Sequence, residues 1–290
     1  MTALVLGSSG FIGRALVRCL EARGDVVMGY SSATLDLRRA DALDQLEASG
    51  GPSTTLYLVA ALTPERGVGL SGLADNLAMV LNVARFVERT PLGACVYFSS
   101  DALYPMQAEP VDETTPVEAT NLYALAKLNG ERMLEHAARA NGTRFVSLRV
   151  TGVYGPGDPH NGYGPNRFVR AIAEGRPVQL FGDGEEQRDH IFVEDVARIA
   201  IALATTSEAG VFNVATGTSR SFASIVADLR SVAPVPFTVE HLPRTGPITH
   251  RSFKSSRLIS AVPGVRSTPF SDGLSQTLAA ALQTWTAVRV

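Results

Sequence analysis

Cysteine is scarce in this 290-residue chain: only Cys19 and Cys95 occur, and they are not at metal-ligand spacing. No disulfide framework or metal knot is therefore expected. Cys19 falls in an apolar helical pattern and Cys95 opens an apolar strand, so both read as buried thiols of a reducing compartment. An excess of one charge is also missing. Lys+Arg total 26 against 28 Asp+Glu, for a net charge of −2, and no basic cluster stands out. That balance argues against a surface that follows nucleic-acid phosphates. The start, Met1 to Gly7, carries no basic region, and its apolar run is too short for a secretory leader. No 18-residue apolar segment follows, so no membrane span is expected. A cytoplasmic protein with neither a nucleic-acid nor a membrane partner is the expectation.

The chain is 45% hydrophobic and long enough to bury a large core. Its first half alternates short apolar runs with helical patterns. Strands are expected at Ala3–Leu6, Val26–Tyr30, Thr55–Ala60, Cys95–Ser99 and Phe145–Val150. Helices are expected over about 11–23, 40–48, 73–89 and 121–140. Near-continuous apolar strands between helices indicate an α/β fold, a doubly wound parallel sheet of the Rossmann type. After Gly152 the texture changes to loop over 155–165. A helix over 166–174, a strand Val178–Phe181, a strand Val211–Val214, and helices over 221–232 and 271–287 are expected. The domain reading is a dinucleotide-binding domain over 1–155 with 189–216 returning to it. Residues 156–188 and 217–290 then form a smaller carboxy-terminal substrate-binding lobe.

Gly7, Gly10 and Gly13 follow the first strand and open the first helix. Glycine permits the tight turn and lets backbone approach a pyrophosphate, while the helix amino terminus offers N–H groups and partial positive charge. Ser9, Phe11 and Ile12 lie in the same turn. In dinucleotide sites an acid at the end of the second strand often binds the ribose 2′-hydroxyl. Here that end reads Gly29-Tyr30-Ser31-Ser32. The missing acid leaves room for a 2′-phosphate, with Ser31 and Ser32 among the available donors. NADP(H) is therefore favoured slightly over NAD(H). Asp36 either caps a helix or accepts from the adenine amino group.

Tyr123 and Lys127 share one helix face, four residues apart. Ser99-Ser100 ends a buried strand at the carboxyl edge, where ligands bind in such folds. The chemistry that fits is hydride transfer coupled to proton transfer at a carbinol or carbonyl. Tyr123 would be the acid/base, its phenolate favoured by the Lys127 ammonium. Lys127 would also hold the nicotinamide ribose, and Ser100 the substrate oxygen. The alternative is an amphipathic core helix with a snorkelling lysine.

With these motifs the chain resembles the extended short-chain dehydrogenase/reductases, in the nucleotide-sugar epimerase, dehydratase and reductase branch. The resemblance covers about residues 3–280. It rests on Gly7 to Gly13, Ser99 to Tyr104, Tyr123 with Lys127, Leu148-Arg149, Tyr154 to Gly157, and Phe181 to Gly184 with Arg188-Asp189 and Val193 to Ala197. It implies an enzyme with catalytic Ser100, Tyr123 and Lys127. Further cofactor contacts are implied at Leu37, Ala60, Ala61 and Ser99, with Asn76 beside the nicotinamide. A nucleotide-sugar partner is implied, held by Asp101, by Phe181 near the base, and by Arg188 and Arg244 on the diphosphate; an arginine fork suits paired phosphate oxygens. It also implies a homodimer that packs the helices of 73–89 and 121–140 together. Met79, Val83, Phe86, Leu128 and Met133 would face outward there, or face the core instead.

The departures narrow the reaction. The family's diphosphate-touching asparagine after the fifth strand is Gly152, its third-strand histidine is Leu58, and the segment 249–254 lacks the usual aspartate. Asp101 is followed by Ala102, so the Asp-Glu pair of the dehydratases is incomplete. Ala102 and Leu103 stand where the 3,5-epimerase/reductases carry a cysteine. Reduction of a 4-keto sugar is the leading expectation, with 4-epimerisation through retained NAD next. A non-catalytic dinucleotide-binding sensor is the remaining alternative, and the intact Tyr123 and Lys127 argue against it.

Overall fold

The structure, a computed structural model, describes residues 1–106 and 110–288. Six strands form the central sheet: β1 (Thr2–Leu6), β2 (Val26–Tyr30), β3 (Gly51–Leu58), β4 (Leu92–Ser100), β5 (Arg144–Val150) and β9 (Gly210–Val214). Their order is β2-β1-β3-β4-β5-β9, and every pairing is parallel. The order reverses between β1 and β3, which opens a crevice at their carboxyl ends.

The apolar strands dictate this arrangement, because a strand buried on both faces needs helices on both. Helices α1 (Phe11–Ala22) and α5 (Val193–Thr205) cover one face, over Val5, Val96, Val146 and Phe212. Helices α2 (Gly69–Arg89) and α3 (Leu122–Asn141) cover the other, over Leu6, Leu56, Cys95 and Tyr97. Burying each large apolar side chain contributes about 1.5–3 kcal/mol. The Asn121 side chain caps α3 by accepting from the Ala124 N–H at 2.9 Å, and Gly142 ends the helix at φ +78°. That cap fixes the helix phase two residues before Tyr123.

By length and mean hydropathy α2 could cross a membrane, which corrects the expectation that no such segment exists. Here it lies on the sheet, with Asn76, Asn82, Val83 and Phe86 buried. The same burial turns Val83 and Phe86 into core residues, and Met79 and Met133 pack against that core. They do not form the outward face that pairing through them requires. Cys95 is buried and its thiol is pushed up to about 12 by desolvation, whereas Cys19 is only half-buried.

The helix expected over 40–48 is a run of turns closing in a 3₁₀ helix at Asp44–Ser49. Leu43 and Leu46 are buried three residues apart, the 3₁₀ repeat, and Gly50 stops the helix immediately. The strand Val178–Phe181 forms as expected, whereas the helix α5 and the other short strands of the second half were not expected. β6 (Gly152–Tyr154), β8 (Gln187–Phe192) and β10 (Ser219–Ser221) form a second sheet in the order β10-β8-β6. The segment 189–216 thus begins in this sheet and continues through α5 into β9. β7 (Val178–Phe181) pairs with β11 (Val239–Leu242). Helices α4 (Pro165–Ala173), α6 (Phe222–Val232) and α8 (Phe270–Val288) enclose a separate core around Phe168, Phe222 and Leu274. A short helix α7 (Ser256–Ala261) packs against β9.

Candidate active site

A cleft of about 560 Å³ runs along the carboxyl edge from the glycine turn to Tyr123 and Lys127. Gly7, Ser9, Gly10, Phe11 and Ile12 line one end, and Ser99, Tyr123 and Lys127 the other. Gly7 adopts φ +96°, and a Cβ there would lie 2.6 Å from the Ala60 nitrogen. Gly13 does not line the cleft; a Cβ on it would collide with the Gly7 carbonyl. The helix α1 has no side-chain cap and no acid in its first turn. Its amino terminus therefore keeps its donors and its positive potential for phosphate oxygens. Arg14 clamps this turn to the next loop, donating to the Ser9 carbonyl at 2.7 Å and the Gly157 carbonyl at 3.0 Å.

An adjoining cavity of about 250 Å³ takes Ser31, Asp36, Leu37 and Ala60 into its walls, and Ser32 lies in both. Arg38 also lines it and holds Asp36 in a two-pronged ion pair at 2.9 and 2.8 Å. The guanidinium keeps that carboxyl ionised down to about 2. Asn76 reaches the loop after β3: its Oδ1 accepts from Leu62 N–H at 2.9 Å and its Nδ2 donates to Leu62 O at 3.0 Å. It thus fixes the loop holding Ala60 and Ala61, with which it shares a small cavity beside Tyr123 and Lys127. These walls fit a dinucleotide: a glycine cradle at the phosphates, a separate slot, and a polar pair at the far end.

Lys127 is buried and donates to the Phe98 carbonyl at 2.6 Å. Its Nζ lies 5.7 Å from the centre of the Tyr123 ring. Burial pulls its pKa down to about 8, opposed by Glu131 one turn on. Lys127 and Lys254 are the only lysines of the chain, and arginine could not be held so near neutrality. Burial and the Asp101 charge push the Tyr123 phenol up to about 12, against a hydrogen bond from Ser100 that favours the phenolate. Lys127 is not among the groups that shift this phenol, so the lowering expected from the ammonium is not found. Ser100 also accepts from the Ala102 N–H at 3.1 Å, which turns the end of β4. The Ser99 hydroxyl is buried with no partner and belongs to the cleft wall.

A second cleft of about 290 Å³ adjoins the first and brings Asp101, Arg188 and Arg251 together. Among the described residues Arg188 pairs with no carboxylate; it donates to the Thr249 carbonyl at 2.7 Å and hydroxyl at 3.0 Å. Arg251 bridges the Asp101 carboxylate at 3.2 Å and the Tyr104 carbonyl at 2.9 Å, and its Nε is buried without a partner. Asp189 holds the Thr216 and Gly217 N–H groups at 2.9 and 2.8 Å, which pins β8 beneath this cleft. Phe181 and Arg244 line neither cleft. Phe181 packs on Tyr163 with ring centres 5.2 Å apart. Arg244 is engaged by Glu185 at 2.6 Å and Glu186 at 3.4 Å, so its charge is already neutralised.

Among the wall residues missed from the sequence are Arg251 and His190. Strand alternation puts 188 and 190 on one face of β8, which could have found His190. Nothing local points to Arg251, which reaches Asp101 across 150 residues of chain.

Residues 3–215 match the NAD dependent epimerase/dehydratase family. The chain belongs to that family. It is 30% identical over 218 residues to a GDP-L-fucose synthase from Azorhizobium caulinodans, covering 68% of this chain and 69% of that protein. It is 28% identical over 313 residues to a UDP-glucose 4-epimerase from Mycolicibacterium smegmatis, covering 96% and 97%. Among solved structures, the Thermus thermophilus UDP-glucose 4-epimerase complexed with NAD superposes with a TM-score of 0.82 at 25% identity, covering 97% and 99%. The Pseudomonas aeruginosa RMD complexed with NADPH shares the fold, with a TM-score of 0.85 at 24% identity and 98% of each chain. As a family member the chain is an enzyme built on a dinucleotide cofactor.

Proposed function

We propose that this enzyme transfers hydride at a ring carbon of a nucleotide-diphosphate sugar, and that its net reaction is the reduction of a 4-keto sugar. The observation that carries this reading is the junction of two clefts. Tyr123 and Lys127 line the end of the glycine-turn cleft, and Arg188 and Arg251 line the next; Ser100 lines neither and reaches the site through its hydrogen bond to Tyr123. A bound nicotinamide supplies the hydride. Tyr123 would give its proton to the carbonyl oxygen as hydride arrives, and Ser100 would hold that oxygen. Lys127 would hold the nicotinamide ribose and favour the Tyr123 phenolate once the proton has left. Arg188, with Arg251 beside it, would take the diphosphate in place of Arg244.

NADP(H) is the favoured cofactor because the end of β2, Tyr30-Ser31-Ser32, carries no acid; Arg38 on the rim of the second slot is already paired with Asp36. The second reading, reversible 4-epimerisation with retained NAD, is favoured by the full-length similarity to a UDP-glucose 4-epimerase. A homodimer through the exposed Leu81 of α2 and Leu125 of α3 is part of the same proposal.

Mass spectrometry of small molecules released on denaturation separates the two reactions. A net reductase is expected to release little nucleotide and, once stripped, to bind NADPH at least tenfold more tightly than NADH. Stoichiometric release of NAD⁺ would overturn the reductase reading in favour of epimerisation.

A further inference from the structure

His190 is a wall of both clefts, the one ending at Tyr123 and Lys127 and the one holding Arg188 and Arg251. Its side chain is buried, 7% exposed as a residue, and its Nδ1 makes no hydrogen bond. A polar ring kept there without a partner costs free energy unless something else satisfies it. The surroundings have been cleared around its edge. Gly152 is the register partner of His190 on β6, and a Cβ there would press on the ring carbon Cδ2 at 3.1 Å. Gly164 comes from the other side at φ +139°, and a Cβ there would sit 3.0 Å from Nε2. Phe222 and Phe270 pack near the ring, with centres 6.1 and 6.5 Å away, and offer it no hydrogen bond. The β-strand side chain thus turns its Cδ2–Nε2 edge to the two glycines at the seam of the clefts, with Nδ1 on the other side of the ring.

We propose that His190 is a specificity-determining residue that hydrogen-bonds a hydroxyl of the sugar ring where the two clefts meet. This rests on the nucleotide-sugar reading above. Burial and the charges of Arg188 and Arg220 pull the imidazole down to about 4, against the Arg188 carbonyl, so it is neutral near pH 7. A neutral imidazole is a poor phosphate ligand beside two guanidinium groups. Its Nε2 donates or accepts according to the tautomer, and a hydroxyl can meet it in either role. A ring with a hydroxyl at this point gains one hydrogen bond; a bare nucleoside diphosphate does not.

The test measures the increment that the sugar adds to affinity. Calorimetry on the stripped protein compares UDP, GDP and dTDP with UDP-glucose, GDP-mannose and dTDP-glucose. His190→Phe is expected to lower the sugar increment of the best pair about tenfold, the worth of one neutral hydrogen bond. Bare-nucleotide affinity and NADPH affinity should stay within about twofold, and His190→Gln should recover part of the increment. An unchanged increment in His190→Phe, an equal loss for the bare nucleotide, or loss of NADPH binding in both variants would overturn the assignment. If the wild type binds none of the six probes, the substrate-class reading itself fails and the assignment falls with it. If the wild type binds and only the variant disagrees, the reading of the class stands without His190.

Discussion

At the dinucleotide end, Gly7, Gly10 and Gly13 lie within one turn, and backbone geometry alone shapes the cradle. In the neighbouring cleft, Asp101, Arg188 and Arg251 arrive from the end of β4, from β8 and from the segment after β11. The first arrangement needs only a strand, a turn and a helix. The second exists only when the small sheet and the lobe are folded against the carboxyl edge. One end is therefore a fixed device for a common cofactor, and the other can be retuned residue by residue. Arg244 shows the retuning: Glu185 and Glu186 occupy it, and Arg251 stands in the cleft instead.

The largest separation between the halves should come from Tyr123→Phe. It removes the proton donor and leaves the cradle untouched. Turnover should fall on the order of 10²–10⁴-fold, while NADPH affinity by fluorescence titration stays within about twofold. A proportionate loss of NADPH affinity would erase the distinction between cofactor holding and chemistry.

A smaller contrast sets the two arginines against each other. Arg188→Ala should raise KM for the nucleotide sugar about 10–100-fold, the range for one charge-assisted contact. Arg244→Ala, whose partners are already carboxylates, should change it less than about threefold. Steady-state kinetics on both variants checks this, and the reverse order would restore Arg244 to the diphosphate.

A third contrast concerns Lys127 and pH. Its folded pKa is about 8, below the 10.5 usual for a lysine. Between these values the unfolded chain binds more protons than the folded one, so stability rises with pH there. The gain is on the order of 3 kcal/mol from pH 8 to 10.5. Below pH 8 the buried charge remains a cost. Denaturant melts of the unliganded protein should show that rise, and Lys127→Met should lose it. Reduction should meanwhile slow above about pH 8 as the ammonium is lost, which a pH profile of kcat/KM reads.

The parallel sheet was legible because β1 and β4 are mostly apolar, and the glycine turn and Tyr123–Lys127 because their spacing is local. The short strands β6, β10 and β11 were not legible. At three or four residues each, they are set by pairing with distant partners rather than by their own pattern. The 3₁₀ segment at Asp44–Ser49 was misread because two buried leucines fit either helical repeat over so short a span. His190 sat two residues from a recognised arginine and was overlooked, although β8 puts both on one face. Arg251 carried no local signal, since its role is created by contact with Asp101.

The most direct test of the central claim follows absorbance at 340 nm when the purified enzyme, NADPH and a nucleotide-linked 4-keto-6-deoxy sugar are mixed. The account predicts stoichiometric NADPH oxidation that depends on Tyr123, with the corresponding sugar alcohol as product. No oxidation with any such substrate, alongside cofactor-retained interconversion of UDP-glucose and UDP-galactose, would contradict it.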